Sequence, residues 1–116
     1  MDDMGEWVNE VRLVGRVSGT PEERQLPSGD TVVQLRVVVP RLGAGNGSAR
    51  VDTIDVACWT ARTRRTAGRL AADAVVEVDG ALRRRFFRAG AATASRYEVE
   101  ARRLVVVRKG ALAKAR

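Results

Sequence analysis

Five segments of the chain alternate apolar and polar residues with a period of two, and helical periodicity occurs once, between the third and the fourth. This alternation is typical of half-buried β-strands. The strand-like segments are 11–17, 31–39, 51–59, 75–87 and 96–107, and the helical pattern covers 60–73. Thr60 is predicted to cap the helix, because its hydroxyl can accept a hydrogen bond from the first turn. This order restricts the chain to a small all-β or α+β barrel.

Proline and glycine mark the ends and bends of these segments. The first strand is predicted to end at Val17, Pro21 interrupts the segment that follows, and the turn residues of 27–30 should return the chain as a hairpin. The glycine-rich segment 43–48 reads as a flexible connector, and 89–93 as a hairpin tip. Gly80 interrupts the long fourth strand, where it predicts a bulge or a sharp bend.

Three strands, one helix and two further strands form the order of a five-stranded Greek-key barrel of the OB type. We therefore predict a mostly β OB-fold over 8–108, with its one helix between strands 3 and 4. Residues 1–7 are predicted to be an N-terminal arm, and 109–116 a basic, disordered C-terminal tail. A chain of 116 residues is long enough for one core and for no second domain.

The composition points to an anionic polymer as the partner. Lys and Arg number 21 against 14 Asp and Glu, which gives a formal net charge of +7. The chain has no histidine and no metal-ligand spacing, so we expect no enzyme activity, no metal and no cofactor. Asp52 and Asp55 are the one cluster of carboxylates, and on a strand they point to opposite faces.

The expected location is the cytoplasm. Cys58 is the single cysteine, which excludes a disulfide within the chain, and its alternating surroundings predict a buried thiol. No apolar stretch approaches the roughly 20 residues of a membrane span. The acidic start, Met1-Asp2-Asp3, is unlike a signal peptide. We therefore expect no membrane partner.

Two aromatic residues end predicted strands on the face opposite the presumed core. Trp59 lies outward of Ile54, Val56 and Cys58, and Phe87 closes a run rich in arginine. Rings on a basic sheet surface can stack on unpaired bases, which makes these two the candidate stacking residues. The alternative is that Trp59 packs against the helix that follows. Phe86 and Tyr97 alternate in step with the inward-facing residues of their strands, so a packing role is predicted for both.

Arginines that share the outward parity, or flank these aromatics, are the candidates for neutralising phosphates. Arg36, Arg83 and Arg85 meet this criterion, and Arg12 and Arg16 on the first strand are weaker candidates. The helix arginines are predicted to form a solvated face that adds to the electrostatic field.

Four segments in the right order resemble bacterial single-stranded DNA-binding proteins. They are 9–17 (NEVRLVGRV), 20–32 with its TPE and LPSGDTV motifs, 52–59 (DTIDVACW) and 78–83 (VDGALR). The resemblance covers roughly 8–108. It implies a nucleoid-associated homotetramer that binds single-stranded DNA, or RNA, during replication, recombination, repair or DNA uptake. It also implies base stacking at Trp59 and Phe87.

The chain departs from the family pattern at several positions. Family members commonly carry an aromatic where this chain has Thr53, and often another in the loop after strand 2, where 43–48 has none. Many end in an acidic tip that recruits partner enzymes, whereas 113–116 is basic; the chain is either a shorter family member or part of a longer one. Two alternatives stay open: a protein-interaction module whose nucleic-acid face has decayed, and a dimeric accessory protein of replication restart.

Overall fold

The computed structural model describes residues 4–43 and 50–110, so the predicted connector 43–48 and tail 109–116 lie largely outside the described residues. A short 3₁₀ helix at Met4–Glu6 precedes the other elements. These are β1 (Val11–Gln25), β2 (Thr31–Pro40), β3 (Val51–Cys58), α1 (Ala61–Gly68), β4 (Val75–Ala89) and β5 (Ala92–Arg108). The strands close into a barrel in the order β1-β2-β3-β5-β4. The predicted five-stranded barrel, with its helix between β3 and β4, is confirmed.

β1 continues through Pro21 to Gln25, eight residues beyond the predicted end at Val17. Its register with β2 passes from Ser18 opposite Arg36 to Glu22 opposite Gln34, so the intervening residues form a bulge. Proline has no backbone N–H to donate, and within a bulge no ladder hydrogen bond is needed from it. The strand therefore bends at Pro21 and continues.

The core consists mainly of small and β-branched apolar side chains. The alternation predicted for β2 and β3 is confirmed, since Val33, Leu35, Val56 and Cys58 are all buried. Ala57, predicted to face outward, is also fully buried. It lies opposite Gln34 on β2 and Glu100 on β5. Core members from all elements are Val17, Val33, Leu35, Val37, Val56, Cys58, Ala67, Leu70, Ala74, Val76, Val78, Val99, Ala101 and Leu104.

α1 begins at the predicted cap. The Thr60 hydroxyl accepts a hydrogen bond from the Thr63 amide at 3.1 Å, which satisfies one of the free donors of the first turn. The helix ends at Gly68, five residues before the predicted end. Leu70 still packs on the core, so the apolar pattern continues beyond the helical backbone. Neither α1 nor any other helix among the described residues is long and apolar enough to span a membrane.

The predicted bend at Gly80 is confirmed. The register of β4 with β5 passes from Asp79 opposite Arg103 to Gly80 opposite Ala101, which leaves one extra residue in β5. A side chain at Gly80 would place its Cβ 1.9 Å from a backbone carbonyl oxygen of β5, so only glycine fits. The extra residue also exchanges the faces of β5, which is why Ala101 and Leu104 are both buried.

Beyond the barrel, β4 and β5 continue as a two-stranded ribbon of residues 82–97, which we call the ribbon. β3 meets β5 through Val56 opposite Val99 and Ala57 opposite Glu100. The packing role predicted for Phe86 and Tyr97 is wrong: they are 63% and 59% exposed. Both alternate in step with the core residues of their strands, but the hydrophobic core ends before the ribbon begins.

Candidate nucleic-acid interface

One face of the ribbon continues the outer surface of β2 and β3, and we call this combined surface the front face. Cross-strand pairs in an antiparallel ladder share a face. Arg83 lies opposite Glu98, Arg85 opposite Arg96, and Phe87 opposite Ala94. The front face comprises Arg36, Asp55, Trp59, Arg83, Arg85, Phe87, Arg96, Glu98 and Glu100.

Trp59 follows the last residue of β3, and its ring contacts the ribbon. The Arg85 guanidinium lies 4.9 Å from the centroid of the indole ring, within the range of a cation–π interaction. The same guanidinium donates through Nε to Glu98 Oε2 at 2.7 Å. The Glu98 side chain is only 1% exposed, so the ion pair is shielded from solvent on the carboxylate side. Arg85 is thus held between an aromatic ring and a buried carboxylate.

Phe87 is linked to β2 through a second set of charges. The Arg96 guanidinium lies 5.4 Å from the centroid of the Phe87 ring. Asp55 is 3.5 Å from Arg96 and 3.4 Å from Arg36, so one carboxylate bridges arginines from β5 and β2. Aromatic and guanidinium groups therefore continue from Trp59 across the ribbon to β2.

A groove of about 380 Å³ lies beside these residues, where the bend of β1 meets β2, β3 and β5. It is lined by Ser18, Thr20, Gln34, Arg36, Asp55 and Arg96, among others. Hydroxyl, amide and charged groups together offer both donors and acceptors. The lining also includes Arg24, Glu22 and Glu98, so three arginines and three carboxylates face the groove.

The structure brings together five of the seven predicted site residues: Trp59, Phe87, Arg36, Arg83 and Arg85. It does not bring Arg12 and Arg16 to this face. Arg12 pairs with Glu77 at 2.8 Å on the β1–β4 wall, and this hydrogen bond lowers the pKa of the Glu77 carboxyl. Arg16 pairs with Asp73 at 3.2 Å.

The sequence reasoning missed Arg96 and Glu98. A signal was present, because the tight turn at Gly90 and Ala91 fixes the register of the ribbon. That register places Arg96 directly opposite Arg85. The sequence predicts the hairpin tip, and extending its register along both strands is what identifies Arg96.

The charged groups of the front face are paired with one another. Arg83 donates to Glu100 at 2.7 Å, so each front-face arginine has a carboxylate partner. Within residues 4–43 and 50–110, no three His, Cys, Asp or Glu side chains are grouped to hold a metal ion. Burial raises the pKa of the Cys58 thiol to about 11, which leaves it a poor nucleophile at neutral pH.

Comparison with known proteins agrees with this geometry. The structure of Plasmodium falciparum SSB in complex with ssDNA superimposes with a TM-score of 0.74. The two sequences are 17% identical, and the match covers 92% of this chain and 99% of that one. This likeness confirms the predicted OB-fold. The comparison with curated proteins gave no match.

The sequence supplies the evidence for the family. The sequence model of the single-strand binding protein family matches residues 8–107, which is most of the chain. The match confirms the resemblance found in the motifs, and with it the expectation of a non-enzymatic protein that binds single-stranded DNA. The chain belongs to the single-strand binding protein family.

Proposed function

We propose that the front face holds single-stranded DNA without sequence preference, by stacking bases on Trp59 and Phe87 and contacting phosphates with Arg36, Arg83 and Arg85. The observation that supports this most is that both rings lie on one face, Phe87 exposed and Trp59 half-buried, each with a guanidinium against it. Rings accept any base, because every base has a π face, and arginines accept the phosphates between the bases. Neither interaction reads a base edge, so the binding is independent of sequence.

The two contributions should differ in their response to salt. Each stacked base contributes about 1–3 kcal/mol and is little affected by salt. Each phosphate contact releases counterions and steepens the plot of log K against log salt by about 0.7 for single strands. With Thr53 in place of a further aromatic, arginine carries more of the affinity, and we expect a steep salt dependence.

The same proposal covers assembly and setting. We infer a homotetramer, which the exposed apolar side chains of Val14, Val106 and Val107 outside the front face support. A tetramer lets one strand contact several barrels, and Arg12 and Arg16 would then meet a strand that continues past β1. We place the protein in the cytoplasm at the nucleoid, acting in replication, recombination, repair or DNA uptake, with RNA as a further ligand to test.

Titration of tryptophan fluorescence with a deoxythymidine oligonucleotide, repeated at several salt concentrations, tests the proposal. Trp59→Ala should abolish most of the quench and weaken binding by roughly 5- to 150-fold. Trp7→Ala is the matched control, since Trp7 is exposed and lies outside the front face. It should leave both the quench and the affinity unchanged.

The competing function is a protein-interaction module whose nucleic-acid face has decayed. It is favoured by Thr53, which is exposed on β3 at a position where family members commonly carry an aromatic residue. It predicts no quench and binding that disappears at modest salt. A dimeric mass in solution would favour the accessory protein of replication restart instead of the tetramer.

A further inference from the structure

The ribbon has a second face, opposite the front face, that the proposed function does not use. Alternate residues along the two strands point to it, because side chains in a strand alternate between its faces. Arg84 lies opposite Tyr97, and Phe86 lies opposite Ser95. The reverse face comprises Leu82, Arg84, Phe86, Arg88, Ser95 and Tyr97.

The reverse face carries exposed rings with a guanidinium between them. The Arg84 guanidinium lies 5.0 Å from the centroid of the Phe86 ring and 5.5 Å from that of Tyr97. Its Nε also donates to the Ser95 hydroxyl at 3.3 Å. The three side chains are therefore held in one layer, and both rings remain mostly exposed to solvent.

The charge of the reverse face differs from that of the front face. Arg84 and Arg88 form no ion pair within the part of the chain that the structure describes. Residues 82–97 contain no carboxylate, and Glu98, which follows them in β5, lies on the front face, where it pairs with Arg85. The reverse face is thus cationic and aromatic, with no acidic side chain.

This chemistry fits an unpaired nucleic acid strand better than a second copy of the chain. A protein partner that covered the face would bury two guanidinium groups, which is costly unless it supplied carboxylates in matching positions. A single strand supplies phosphates for the arginines and bases for the rings.

The base of the ribbon is fixed in place. The Asn9 side chain accepts a hydrogen bond from the Leu82 amide at 2.8 Å and donates one to the Leu82 carbonyl oxygen at 2.9 Å. The tip of the ribbon, at Gly90 and Ala91, carries no bulky side chain. A strand on the front face can therefore cross the tip to the reverse face without meeting an obstacle.

We propose that the reverse face is a second stacking surface, on which the same DNA strand continues after it passes over the tip of the ribbon. This proposal rests on the proposed function, because it extends the path of that strand. Phe86 and Tyr97 stack on bases there, and Arg84 and Arg88 contact the phosphates. The number of nucleotides bound per protomer is then larger than the front face alone would accommodate.

The test compares short and long oligonucleotides on the double variant Phe86→Ala/Tyr97→Ala. A single OB-fold occupies about 4–16 nucleotides, so deoxythymidine oligomers of about 6 and about 30 nucleotides separate the two surfaces. We expect unchanged affinity for the short oligomer, at least about tenfold weaker binding of the long one, and fewer nucleotides bound per protomer. The matched control, Trp7→Ala/Val8→Ala, truncates two exposed apolar residues outside the ribbon and the front face and should change neither affinity.

Cross-linking of the unaltered protein gives an independent measurement. A long oligomer containing 5-iododeoxyuridine should cross-link to the peptide that carries Tyr97, whereas a short one should not. The proposal is overturned if the double variant binds both oligomers like the wild type, or if no cross-link maps to the reverse face. A change in oligomer mass in the double variant would also overturn it, by assigning the face to contacts between protomers.

Failure of the proposed function has a different outcome. A wild-type protein that does not bind the short oligomer refutes the front face itself. A wild type that binds the short oligomer, with a double variant that binds the long one equally well, refutes only the reverse face.

Discussion

On the proposed binding face, Asp55 is expected to limit the affinity, and replacing it with asparagine should tighten binding. Its carboxylate is 36% exposed and lies 3.4 Å from Arg36 and 3.5 Å from Arg96. A phosphate that contacts either arginine must displace this carboxylate or share the guanidinium with it. Exposed ion pairs contribute about 0.2–1 kcal/mol each, so the two together oppose phosphate binding by about 0.4–2 kcal/mol.

The expected gain in affinity for Asp55→Asn is therefore about 2- to 30-fold at low salt. The plot of log K against log salt should also steepen by about 0.7 for each additional phosphate contact. Fluorescence anisotropy of a labelled deoxythymidine oligomer across a salt series measures both quantities.

The control for this variant must change the net charge equally at a distance from the front face. Asp79→Asn does so, because Asp79 pairs with Arg103 at 3.4 Å on the β4–β5 wall of the barrel. If Asp55→Asn tightens binding no more than Asp79→Asn, the gain reflects net charge alone. Weaker binding in Asp55→Asn would show instead that the carboxylate positions its arginines for the ligand, and would refute the reasoning.

Two further predictions concern stability, measured by urea denaturation. Arg85→Ala leaves a carboxylate that is 1% exposed without its partner, and should lower the free energy of unfolding by about 1–3 kcal/mol. Arg83→Ala, whose partner is 34% exposed, should cost less than about 1 kcal/mol, and equal losses would contradict the difference in burial. Gly80→Ala should destabilise by about 1–3 kcal/mol or more, since its Cβ would meet a backbone oxygen. Gly68→Ala projects into open space and should be neutral or stabilising by about 0.5–1 kcal/mol; similar effects for the two glycines would count against the close approach at Gly80.

The features that the sequence predicts well are those with a local physical cause. Thr60 caps the helix because a hydroxyl at that position has a free amide within reach. Gly80 marks the bulge because no side chain fits against the neighbouring strand. The aromatic and basic residues of the front face follow from period-two alternation, which holds as long as the strand remains regular.

The features that the sequence does not predict depend on what surrounds each strand. Parity assigns Phe86 and Tyr97 to the inner face, but it does not show where the core ends. Proline usually ends a strand, whereas here a bulge accommodates Pro21. Arg12 and Arg16 have outward parity, yet they lie on a different wall, because outward in a barrel is a different direction for every strand.

The short ladder between β3 and β5 has a mechanical consequence. β3 and β5 meet only through Val56 with Val99 and Ala57 with Glu100, whereas the other neighbouring strands share longer ladders. This junction, which we call the seam, is therefore the weakest closure of the barrel. Trp59 lies on one side of the seam and the ribbon on the other. A strand of DNA stacked on Trp59 and on the ribbon would hold β3 and β5 together. Amide hydrogen exchange at Val56 and Val99 should therefore slow in the complex. Ligand binding and barrel closure would then be thermodynamically linked, because the bound nucleic acid would stabilise the pairing of β3 with β5.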